Sequence, residues 1–175
     1  TDIGAVTKSN ASLGSNTVSG TWYRIATKTG SAGRGAAKIV LSNTGGTGTP
    51  NQAVFNIVKD WSAGGSITML SQNGTVCWSN IRMVNDSGTP TTTYIDVQAA
   101  AICGGPNVTV INEETAFGGF SANAFTAPAG GSEVTISTLD ISNNTLFGIS
   151  GASTNDAFRI QPSALLSSQN NYSLL

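Results

Sequence analysis

The chain contains no histidine. That excludes Ser–His and Cys–His nucleophile pairs, histidine general bases and nearly every zinc or copper centre. Charge is scarce as well. Only 10% of the 175 residues are Asp, Glu, Lys or Arg, against about 25% in an ordinary soluble domain. The formal net charge is −1 and the eight basic residues are scattered, so no partnership with nucleic acid and no attraction to an anionic membrane surface is expected. Long apolar runs are missing too. Nothing approaches the roughly 20 residues of a membrane-spanning helix, and no basic-then-apolar signal segment opens the sequence, so membrane insertion is not expected. Low charge does not imply disorder here, because disorder combines low hydrophobicity with high net charge and 39% of this chain is hydrophobic.

The only two cysteines, Cys77 and Cys103, cannot build a metal site alone. They flank a hairpin centred near Ser87-Gly88-Thr89-Pro90. The preferred reading is two buried thiols acting as small apolar residues; a disulfide across the hairpin is the alternative. No metal or other cofactor is expected.

What is abundant is Gly, Ser, Thr, Asn and Ala, arranged as short β-prone runs between turn residues. The runs are 21–27, 37–42, 53–58, 66–70, 75–85, 92–100, 107–112, 124–127, 133–140, 145–149 and 157–160. With no helical periodicity, they predict an all-β, antiparallel sandwich or jelly-roll-like fold. Alternation is clear in two of them. In 93–99, Ile95, Val97 and Ala99 oppose Tyr94, Asp96 and Gln98; the first set should face the core, the second solvent or a neighbouring subunit. In 133–141, Val134, Ile136 and Thr138 oppose Thr135, Ser137 and Leu139. Residues 1–19 have little apolar periodicity and read as an extended lead-in from a shaft. The glycine-rich stretches 30–35 and 45–50 lack the Gly-Lys-Ser/Thr ending of a phosphate loop and read as turns.

Several pieces occur in a set order: Gly20-Thr21-Trp22-Tyr23-Arg24-Ile25-Ala26, then Gly33-Arg34-Gly35-Ala36-Ala37, Ile67-Thr68-Met69-Leu70-Ser71, Asn80-Ile81-Arg82-Met83-Val84 and Tyr94-Ile95-Asp96-Val97. Together they cover about residues 20–100 and resemble the C-terminal receptor-binding head domains of bacteriophage tail fibres. The resemblance implies a head of residues 20–175, assembled as a parallel homotrimer in the virion and made in the host bacterial cytoplasm. It would bind a bacterial surface polysaccharide, capsule or lipopolysaccharide, for host recognition. Residues 101–175 lie beyond the matched pattern and read either as a second half of the same sandwich or as an added subdomain.

Within the motif, Trp22 and Tyr23 point to opposite faces of one strand, and Arg24 shares the Trp22 face and could pair with a carboxylate such as Asp96. Trp22, Tyr23, Arg24, Arg82 and Tyr94 are assigned to architecture, not to a ligand. Sugar contacts are sought elsewhere, in exposed aromatics beside amides and hydroxyls. The candidates are Trp61, ahead of Gly64-Gly65, and Phe117, Phe120 and Asn123 in a segment rich in Phe, Gly and Asn that reads as a tip loop. Trp78, mid-strand, reads as packed. Glycoside hydrolysis needs two carboxylates about 5–9.5 Å apart, and adjacent Glu113 and Glu114 would point to opposite faces of a strand, so no catalytic residue is assigned. Two other readings remain: a trimerisation or decoration module without a ligand, and a small glycan-cleaving head.

Overall fold

The computed structural model describes residues 6–29, 35–43, 50–60, 64–74, 77–87, 92–114 and 119–142. The expected strands at 145–149 and 157–160 lie outside the described residues. Within them the chain forms ten strands: β1 (Thr7–Ser12), β2 (Trp22–Thr29), β3 (Gly35–Asn43), β4 (Asn51–Lys59), β5 (Gly65–Gly74), β6 (Trp78–Asn85), β7 (Thr92–Ala99), β8 (Asn107–Glu114), β9 (Ser121–Thr126) and β10 (Val134–Asp140). They make two five-stranded antiparallel sheets, ordered β1-β8-β3-β4-β5 and β10-β6-β7-β2-β9. The pairings of β1 with β8, β2 with β7 and β4 with β5 are nested as in a jelly roll.

The core lies between the sheets and follows from the period-2 pattern. Ala37, Ile39 and Leu41 of β3, Phe55 and Ile57 of β4, and Val108 and Val110 of β8 face Ile81 and Met83 of β6 and Ile95 and Val97 of β7, all at most 2% exposed. The inward rows end in polar side chains. Lys28 and Lys59 are each 2% exposed. Burial lowers the pKa of Lys59; Asp60 opposes that shift and the charge of Lys28 adds to it.

Two segments differ from the sequence reading. Thr7–Ser12, read as part of a lead-in, is an edge strand paired with β8 from Thr7↔Asn112 to Ser12↔Asn107. Backbone pairing and the polar side chains of Thr7, Ser9 and Asn10, which accept from Asn112, Ala122 and Thr109, place it there, so apolar periodicity carried no signal. Residues 121–123, read as part of a tip loop, extend the strand expected at 124–127, and together 121–126 form β9 against β2. Phe125 of β9 adopts a left-handed backbone (φ 53°), a conformation costing roughly 1–2 kcal/mol for a non-glycine residue. That turn sends its ring into the core, stacked with Trp78 at 6.1 Å and edge-on to Tyr23 at 6.3 Å. Trp78 is packed as expected, 1% exposed.

The Cys77–Cys103 pair corrects the preferred reading of two free thiols: they form a disulfide with Cα atoms 6.0 Å apart. Pairing of β6 with β7 starts at Trp78↔Ala99, and the Ala100 N–H donates to the Cys77 carbonyl at 2.8 Å. The strand register therefore brings the two residues within bridging distance.

Gly74 closes β5 with φ +79°, and a Cβ there would lie 2.2 Å from the Pro50 carbonyl oxygen. Gly74→Ala is expected to cost about 2–3 kcal/mol, read from the urea midpoint. Gly14→Ala, with nothing within 4 Å of the added carbon, should stay within about 0.5 kcal/mol. Equal effects would show that Gly74 is not sterically required.

Candidate functional site

The second sheet turns one face to the core and one outward. On the outward face β7 presents Tyr94, Asp96 and Gln98, β2 presents Trp22 and Arg24, and β6 presents Asn80 and Arg82. The registers Arg24↔Asp96 and Arg82↔Asp96 put one carboxylate between two guanidinium groups. Arg24 Nε donates to Asp96 Oδ1 at 2.9 Å, and Arg82 Nε and Nη2 donate to Asp96 Oδ2 at 3.2 and 3.1 Å. Arg24 Nη1 also reaches Glu133 Oε1 at 2.9 Å. Burial works against the Arg24 charge, but Glu133 and Asp96 outweigh it and its pKa is raised.

Aromatic rings complete the layer. The Arg24 guanidinium carbon sits 3.5 Å from the Tyr94 ring centroid, and that of Arg82 sits 4.2 Å from the Trp22 centroid. A bulge in β2, where Arg24 pairs with Asp96 and Ala26 with Ile95, leaves Ile25 as the extra residue and returns the strand to its core phase. Glu133 arrives from the connection between β9 and β10, which lie at opposite edges of the sheet. Gly130 and Gly131, both with positive φ, turn this connection, and the Ser132 hydroxyl donates to the Asp86 carbonyl at 3.1 Å.

The sequence placed Trp22 and Tyr23 on opposite faces, and they are. Tyr23 is buried and its hydroxyl accepts from the Val18 N–H at 2.8 Å; Trp22 is half-buried on the outer face. The Arg24–Asp96 pair was anticipated. Asp96 lies on the outer face, opposite Ile95 and Val97, as expected, but it does not meet solvent: it is 0% exposed, because Arg24 and Arg82 close over it. Glu133 was not foreseen, because nothing in the Pro- and Gly-containing stretch before it shows that the chain crosses the sheet.

The ligand candidates do not converge. Trp61 and Phe117 lie outside the described residues. Phe120 is 1% exposed, and its backbone is clamped by Asn112, whose Oδ1 accepts from the Phe120 N–H and whose Nδ2 donates to its carbonyl, both at 2.8 Å. Its ring therefore fills the core and meets no solvent. Asn123 is half-buried and donates to the Thr27 hydroxyl at 2.7 Å. Among the described residues no group of three or more Cys, Asp or Glu could hold a metal ion.

No family model matches the chain, and no curated protein matches it. Among solved structures the fold is similar to part of WceF from Pantoea stewartii, a glycan biofilm modifying enzyme with a bacteriophage tailspike-like parallel β-helix fold. The TM-score is 0.51 and the identity 14%, over 74% of this chain and 22% of that one. The tailspike protein of Acinetobacter phage vB_ApiP_P1 gives a TM-score of 0.43 at 12% identity, over 66% of this chain and 22% of that one. The chain thus spans about a fifth of either protein, and the likeness to WceF is one of fold.

Proposed function

We propose that this chain is a receptor-binding module of a phage tail fibre or tailspike, a homotrimer that attaches to a bacterial surface glycan. The observation that carries the reading is the sandwich it has in common with a fifth of a tailspike-like, glycan-modifying chain. The ordered motif from Gly20 to Val97 supports it independently. Binding is favoured over cleavage because two carboxylates of the outer face, Asp96 and Glu133, are both committed to Arg24, and a third, Asp140 of β10 in register with Asn80, accepts from the Ser142 hydroxyl at 2.7 Å. Three shallow sites on one rigid tip, with several fibres per particle, would give avidity without a tight single site. A neutral, hydroxyl-rich surface suits saccharide contact.

Two measurements on the full chain test this. Light scattering should return three times the 17.8 kDa chain mass, persisting on dilution; a monomer would remove the avidity mechanism. Purified capsular polysaccharides and lipopolysaccharides, immobilised on a sensor, should include at least one that binds saturably. Binding to none would leave a structural module without a ligand. Release of reducing ends from a bound glycan would instead make the module a glycan-cleaving head.

A further inference from the structure

The outer face of the second sheet carries a row that the Arg24–Asp96 cluster does not absorb. Trp22 of β2, Gln98 of β7 and Asn80 of β6 are in register across three adjacent strands. At about 4.8 Å per strand the row spans roughly 10 Å, the length of a disaccharide. All three side chains are half-buried.

Their geometry is fixed before any ligand arrives. Gln98 Nε2 donates to the Gly20 carbonyl at 3.0 Å, while Gln98 Oε1 accepts from Asn80 Nδ2 at 3.0 Å and from the Ser79 hydroxyl at 3.3 Å. Asn80 Oδ1 accepts no hydrogen bond among the described residues. Trp22 is held by the Arg82 guanidinium against one face of its ring, and Arg82 is held in turn by Asp96. An oriented indole beside a locked pair of amides is a stacking face with hydrogen-bonding groups at a set distance.

The charge balance selects the ligand. Arg24 and Arg82 are matched by Asp96 and Glu133, so the face offers no uncompensated cation to an acidic sugar. On the neighbouring β10, exposed Thr138 and Asp140 lie beside Arg82 and Asn80 and add polar groups to the same face. We infer that the Trp22–Gln98–Asn80 row is a saccharide subsite for an uncharged sugar. The Trp22 ring stacks on the apolar face of a pyranose, and the Asn80 and Gln98 amides hydrogen-bond its hydroxyls. This rests on the glycan-binding reading above and names the site and ligand class for it.

The test uses the full chain on an immobilised array of neutral hexose and N-acetylhexosamine oligosaccharides beside uronic-acid-containing ones. The expected result is binding to a neutral member, weakened at least tenfold by Trp22→Ala and about fivefold by Asn80→Ala. Asn80→Ala removes no core packing, so it serves if Trp22→Ala perturbs the fold, and a cooperative melt for each variant checks that. Neutral-glycan binding that both folded variants retain would overturn this subsite and leave the receptor-binding reading standing. Binding confined to uronates would do the same. A variant that converts a trimer to a monomer would assign the face to subunit contact instead. Binding of no saccharide at all would overturn both readings.

Discussion

Asp96→Asn is expected to lower the unfolding free energy by about 3 kcal/mol and Tm by roughly 10 °C. The carboxylate is 0% exposed and answers two guanidinium groups, one of them on an Arg24 side chain only 6% exposed. An amide keeps the shape but removes the charge, leaving two arginines side by side with Glu133 as the remaining counter-ion. Breaking a buried pair from one side is costly because the other charge stays desolvated. Glu133→Gln should cost only about 1 kcal/mol, since Glu133 is 11% exposed and Arg24 keeps Asp96. Because the central pair is buried, the Asp96→Asn penalty should survive in high salt. Urea titrations of both variants at low and high salt decide the matter. Equal penalties, or a penalty that salt abolishes, would mean that Asp96 is effectively solvated.

Opening the Cys77–Cys103 disulfide should cost about 3.5 kcal/mol, the loop-closure entropy for 26 residues of separation. The bridge ties the start of β6 to the segment after β7, next to a backbone hairpin that would persist without it. The folded state should therefore survive reduction with a lower denaturant midpoint, not collapse. The double variant Cys77→Ser, Cys103→Ser should match the reduced protein to within experimental scatter. If the proposed synthesis in a reducing host cytoplasm holds, freshly extracted protein should take up two alkylating groups, and protein exposed to air before the reagent is added should take up none. A midpoint indifferent to reductant would mean that the bridge constrains nothing in the unfolded chain.

Much of the fold was legible because alternation carries it. The strands expected from 21–27 through 133–140 appear with boundaries shifted by a few residues, since inward Ile, Val, Leu and Phe at period 2 have one way to be buried. The strand that went unread, β1, is the one whose side chains are mostly exposed: its place depends on hydrogen bonds to β8, which leave no hydrophobic mark. The site was legible in part. Trp22, Arg24 and Arg82 stood out in the motif, and the Arg24–Asp96 pair followed from facing residues on neighbouring strands. That Trp22, Gln98 and Asn80 align, and that Phe120 turns inward, depended on which strands become neighbours.

The sequence by itself determined an all-β chain without histidine chemistry, with alternating apolar residues to bury and little charge. Only the tertiary structure decided what covers Asp96, where Glu133 reaches, and that Cys77 meets Cys103. The physical reason is range. Alternation and composition are local quantities, fixed within a strand. The outer-face cluster is assembled from four separate segments, β2, β6, β7 and the connection before β10, whose meeting depends on strand order and register across the whole sheet.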